Sequence, residues 1–165
     1  MNAKMKDLVR AFETAGFEDV RTIASSGNVV FTAKRAASNA TLERKAEKAM
    51  EKTLGKAFAT IVRSGRELTK MIDGEPWGRA KLRRGAKRVV TFFKTKPRTA
   101  GVKLPLVSDG ARVLRVAGKE AFTEYVPSQR GGAFMVVIER TFGKEVTTRT
   151  WDAVLKIAGA TSRDA

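Results

Sequence analysis

Apolar residues recur every three or four positions near the start of the chain. Met5, Leu8, Val9 and Phe12 fall at i, i+3, i+4 and i+7. That period places them on one side of a helix, and Gly16 stands where a left-handed C-terminal cap belongs. The pattern then changes: "DVRTIASSGNVVFTA" reads as two short strands broken at Ser26-Gly27-Asn28, residue types that tolerate tight-turn geometry. Ser38 or Asn39 opens a second helix, whose apolar face carries Leu42, Ala46, Ala49, Met50 and Leu54. Glu43, Arg44, Lys45, Glu47 and Lys48 largely fill the opposite face. "FATIVRS" has the composition of a strand. Ser64 and Glu67 have capping-box spacing, so a short helix is predicted to start there and pack through Leu68, Met71 and Ile72.

Further on, "KRVVTFF" reads as a strand and "ARVLRVAGKEAFTEYV" as a hairpin turning near Gly118-Lys119. Gly131-Gly132 leads into a helix bearing Phe134, Val137, Ile138 and Phe142 and ended by Gly143. Thr148 is predicted to cap a last helix in which Trp151, Val154, Leu155 and Ala158 form one stripe, ended by Gly159. Thr161 to Ala165 reads as a frayed polar tail. Helices alternating with antiparallel hairpins imply an α+β fold with helices layered on one face of each sheet. The predicted division is residues 1–72 and 73–165.

Charge adds a partner class. The chain of 165 residues has a formal net charge of +16. Between Arg79 and Lys103 stand ten lysines and arginines and no acidic residue. Such a surface attracts polyanions, nucleic acid among them, and Arg83, Arg84, Lys87, Arg88 and Lys94 are the candidate contacts. The same composition also suits a plain solvated basic face. Phe92 and Phe93 lie within the run, but adjacent strand residues point to opposite faces, and "KRVVTFF" lacks the glycine of an RNA-recognition strand.

Chemistry is narrowed by what the chain lacks. With no cysteine and no histidine, disulfides, thiolate zinc sites, cysteine nucleophiles and the Ser-His-Asp triad are excluded. Only carboxylate, lysine, tyrosine or serine–lysine chemistry and oxygen-only metal sites remain. No glycine-rich phosphate loop has the spacing of a nucleotide fingerprint, and neither a cofactor nor a metal is expected. No apolar run approaches a membrane span, and the first twenty residues carry no secretory signal, so a cytoplasmic protein is expected. Ser26-Gly27-Asn28 is read either as a plain hairpin turn or as a backbone anion nest. "QRGG" at 129–132 is read either as a flexible connection or as an anion loop before a helix. Trp151 suits a core position; Asp152 faces away from the stripe, and Arg149 in the first turn opposes the helix dipole, which implies an anionic partner.

Three blocks, "GFEDVRTIASSGNVVF", "VRSGRELTKMIDGEPWG" and "TTRTWDAVLKIAG", together resemble the bacterial domain of unknown function 1697 family. The matching positions include Ser26, Gly27 and Asn28, then Arg63, Ser64, Glu67, Pro76 and Trp77, then Arg149, Trp151 and Asp152. The resemblance implies two α/β-plait (ferredoxin-like) halves with antiparallel sheets and no assigned catalysis. Thr150 and Asp152 stand where the family pattern has asparagines flanking the tryptophan. The family pattern also begins with a strand ahead of the first helix. Its absence here predicts a first half without its first strand, with a start upstream of Met1 favoured over a closed-up sheet or a strand donated by another chain. The sequence reading is therefore a non-catalytic cytoplasmic protein that binds nucleic acid or another polyanion without sequence preference. The alternative is an enzyme acting on a small anionic substrate, through carboxylates and arginines in a cleft between the halves.

Overall fold

Local signals set most of the elements. The computed structural model describes residues 4–24, 27–108, 110–127 and 133–161. Five helices and two antiparallel sheets make it a mixed α and β protein among these residues. Its contacts divide it into two compact units, Met1–Leu68 with Leu155–Ala165, and Thr69–Val154.

In the first unit, α1 (Met5–Thr14) stops at Gly16, whose φ of +77° is the left-handed cap foreseen from its type. Strands β1 (Phe17–Ile23) and β2 (Asn28–Ala33) pair antiparallel, with a bulge between Glu18 and Arg21. Helix α2 (Asn39–Leu54) starts at Ser38, whose hydroxyl accepts from the Thr41 amide at 3.2 Å. Leu8, Ala11, Phe12, Phe17, Ala46 and Met50 form the buried core, with Phe12, Phe17 and Phe31 rings 4.3–5.6 Å apart. Helix α3 (Gly65–Asp73) begins with the foreseen capping box: the Glu67 amide donates to Ser64 Oγ at 3.2 Å and the Ser64 amide to Glu67 Oε2 at 2.6 Å.

Two expectations fail in this unit. "FATIVRS" is not a strand: residues 57–64 join no sheet. Nor do Glu43 and Glu47 lie on a face opposite the packed one. Glu43 is buried, and its Oε1 accepts the Val62 amide at 2.9 Å; Glu47 Oε1 accepts the Thr60 amide at 2.8 Å. The geometry explains why this works. Four residues of helix rise about 6 Å, close to the roughly 6.6 Å between alternate amides of an extended chain. Two carboxylates one turn apart can therefore hold every second amide and satisfy backbone donors that a neighbouring strand would otherwise take.

In the second unit, strands β3 (Lys87–Phe93), β4 (Leu106–Ser108), β5 (Ala111–Ala117), β6 (Glu120–Tyr125) and β7 (Val146–Thr150) form one sheet in the order β4-β5-β6-β3-β7. β5 and β6 make the foreseen hairpin. Helix α4 (Ala133–Phe142) covers one face, with Phe134 and Ile138 packed on Val89, Phe93, Ala111, Val113 and Ala121. By strand alternation Val90, Phe92 and Phe122 occupy the other face. Phe92 and Phe93 are thus both buried, and neither ring is free to stack on a base.

β4 and β7 were not foreseen. β7 corrects the expected role of Thr148, which caps no helix: it pairs with Thr91 across the sheet, their hydroxyls 2.8 Å apart. Thr150 takes the capping role, its Oγ1 accepting the Ala153 amide at 3.3 Å. Helix α5 (Trp151–Thr161) runs through Gly159 instead of ending there, and Leu155 is 41% exposed, so the buried stripe is Trp151, Val154 and Ala158.

Candidate functional site

The face of the second sheet opposite α4 is where charge concentrates. Arg88 on β3 and Arg112 on β5 both stand directly opposite Glu124 on β6, so the three side chains share a face in one cross-strand row. Glu124 is fully buried. Its Oε1 accepts from Arg83 Nε and Arg112 Nε, and its Oε2 accepts the Arg83 amide at 2.9 Å. Arg83 also reaches the Gly110 carbonyl at 2.6 Å, and Arg112 the Lys81 carbonyl at 3.1 Å. Burial pushes the Glu124 carboxyl up, but the hydrogen bonds from Arg112 and Arg83 outweigh it and hold the pKa below the usual glutamate value. A buried carboxylate with this many donors satisfies the demand that buried charge be paired and hydrogen-bonded.

Arg88 does not join it. Its guanidinium lies over two rings instead, 5.5 Å from the Trp77 centroid and 5.9 Å from that of Trp151. Both distances suit cation–π attraction. The two indoles meet edge to face at 4.8 Å, and Trp77 packs edge-on to Phe122 at 5.5 Å. Both rings are buried. Trp77 Nε1 is buried with no hydrogen-bond partner among the described residues, so this indole contributes its faces and edge and not its donor. Arg88 itself is exposed.

Around this row, Arg84 and Lys87 are exposed, and Lys94 is partly buried with its amide donating to the Glu145 carbonyl at 3.0 Å. Eight of the ten basic residues between Arg79 and Lys103 are exposed; Arg83 and Lys94 are the exceptions. Among the described residues no group of three carboxylates could hold a metal ion. None of their helices is long and apolar enough to cross a membrane.

The family model described as "Protein of unknown function (DUF1697)" matches residues 1–122. The chain belongs to the DUF1697 family. No curated protein matches it. Among solved structures, this DUF1697 chain is similar to a conserved bacterial protein from Streptococcus pneumoniae at 18% identity and a TM-score of 0.65. That match covers 98% of this chain and 90% of the other, and it is a likeness of fold.

The remaining candidate positions in this DUF1697 chain take local roles. Asn28 is buried at the start of β2, its Nδ2 donating to the Ile23 carbonyl at 3.1 Å, and Gly27 turns with φ +69°. Ser26 and residues 129–132 lie outside the described residues. Arg63 donates to the Val62 carbonyl at 2.8 Å. Arg149 is not in a helical first turn. It lies on β7, donates to Thr147 Oγ1 at 2.6 Å and the Thr148 carbonyl at 2.8 Å, and burial lowers its pKa. Asp152 is exposed in the first turn of α5. Sequence reasoning gave no site role to Arg112, Glu124 or Trp77. Only Trp77 carried a signal, as the aromatic after Pro76.

Proposed function

We propose that this DUF1697 protein is a non-catalytic, cytoplasmic binder of nucleic acid, working through the exposed basic surface of residues 79–103 without sequence preference. The observation that supports it is the exposure of eight cations in a segment that contains no acid, within a chain of net charge +16. Association then draws on counterion release, which sets affinity by charge and salt and not by base identity. Arg83 falls out of the contact set, because Glu124 holds it. The finer fold reading belongs to the same proposal: two α/β-plait halves, residues 1–72 and 73–165, the first without its first strand and with β1 and β2 as its strands among the described residues.

The test is a titration of labelled DNA and RNA at several salt concentrations. If half of the exposed cations reach phosphates, log K against log salt falls with a slope of about −4 on duplex DNA. Replacing Arg84, Lys87, Lys96 and Arg98 with glutamine should flatten that slope and weaken all sequences alike. No binding at low salt, or unchanged binding by the four-residue variant, refutes the proposal.

A further inference from the structure

Arg88 differs from the other exposed cations of its segment. The carboxylate placed opposite it across the β3–β6 ladder, Glu124, is already occupied by the Arg83 amide, Arg83 Nε and Arg112 Nε. The carboxylate in its own cross-strand row is thus taken, and Arg88 has no acidic partner among the described residues. Yet it is not a loose surface side chain. It rests over Trp77 and Trp151, two buried rings packed against each other, with Trp77 also packed against Phe122. An arginine that is laid down on aromatic faces has already lost much of its rotamer freedom, so less is lost when it binds. Its N–H fork stays open to solvent and fits the paired oxygens of a phosphate.

We propose that Arg88 is a fixed phosphate contact, gripping one phosphodiester group of a bound nucleic acid while Trp77 and Trp151 hold its guanidinium in place. This rests on the nucleic-acid reading above. It differs from that reading in kind: the surrounding lysines and arginines supply charge, whereas Arg88 supplies a directed, two-pronged contact. The long-range attraction of a +16 chain favours a polymer of phosphates over a single small anion.

Both tryptophans of the chain lie under this arginine, so intrinsic fluorescence reports on the site directly. Oligothymidylate titrated into the full chain should change that fluorescence. Arg88→Gln should weaken binding about tenfold or more, as expected for loss of one charge-assisted contact, and should abolish most of the fluorescence change. Arg88→Lys keeps the charge but not the planar fork, so it should lose most of that affinity without changing the salt slope. Circular dichroism checks that each variant is folded. The comparator is Arg84→Gln with Lys87→Gln, which should lower the salt slope and leave the fluorescence change intact. If the comparator weakens binding and Arg88→Gln does not, the Arg88 contact is refuted and the general nucleic-acid reading stands. If the wild-type chain binds no oligonucleotide, both fall. Polyaspartate that competes as well as oligothymidylate and gives the same signal also overturns the phosphate assignment.

Discussion

Glu124→Gln isolates the buried carboxylate at the centre of the second sheet. Glutamine keeps the size and one acceptor oxygen but removes the charge that Arg83 and Arg112 face. Removing one member of a buried ion pair costs about 3–5 kcal/mol, and hydrogen bonds to charged groups contribute about 1.5–3 kcal/mol each. The arginine side chains here retain 36% and 27% exposure, so water can resolvate them in part. The low end applies, roughly 2–3 kcal/mol. For a chain of this size each kcal/mol moves the melting point by about 2–4 °C. The variant should therefore melt roughly 5–10 °C below wild type at neutral pH. The pH dependence sharpens the test. The folded-state pKa of Glu124 is lowered. Its contribution is therefore fully present above the unfolded value, about 4.3, and is lost as pH falls through the folded value. Protonation makes the wild type resemble the variant, so the gap between the two should shrink in acid. Far-UV circular dichroism melts of both proteins from neutral pH into acid read this out. A neutral-pH difference within two degrees or so, or a gap that does not shrink in acid, refutes the assignment of stability to this cluster.

Two further perturbations probe the same unit. Trp151→Ala removes a ring that is 7% exposed and packed edge to face on Trp77; it should cost about 3–5 kcal/mol, and a melting point within a degree or two of wild type contradicts the packing described. Gly110→Ala forces an L side chain to φ +81° and sets its Cβ 2.9 Å from the Val126 carbonyl oxygen; destabilisation of about 1–3 kcal/mol should appear in denaturant melts, and an unchanged midpoint contradicts it.

What the sequence revealed was mostly local. Helix α1, the Ser38 cap, the Ser64–Glu67 box and the buried Trp151 follow from neighbours within a turn of helix. The β5–β6 hairpin follows from alternation around a turn residue. Most of the failures depended on partners far along the chain. β7 is five residues rich in threonine, and only its pairing with β3 makes it a strand. "FATIVRS" has strand composition, but β-propensity expresses a fit to neighbouring strands, and residues 57–64 join none. The Glu124 row was invisible for the same reason. Arg88, Arg112 and Glu124 line up only once β3, β5 and β6 are in register, and Arg83 reaches Glu124 from the segment before β3. Composition exposed the basic segment but could not show that Arg83 is neutralised in place while Arg88 is left open.

The grip of α2 on residues 60 and 62 changes where the chain can absorb insertions and deletions. In a sheet, main chain holds main chain, and the identity of the side chains is secondary. Here the holding atoms are the tips of Glu43 and Glu47. One residue inserted between those two positions swings one carboxylate about 100° around the helix axis and leaves at least one amide without its acceptor. The same insertion beyond the C-terminus of α2, near Gly55 at φ +69°, only lengthens an exposed connection. Length variation is thus tolerated after the helix and forbidden within one of its turns, the reverse of the freedom usually granted to a surface helix over a neighbouring strand.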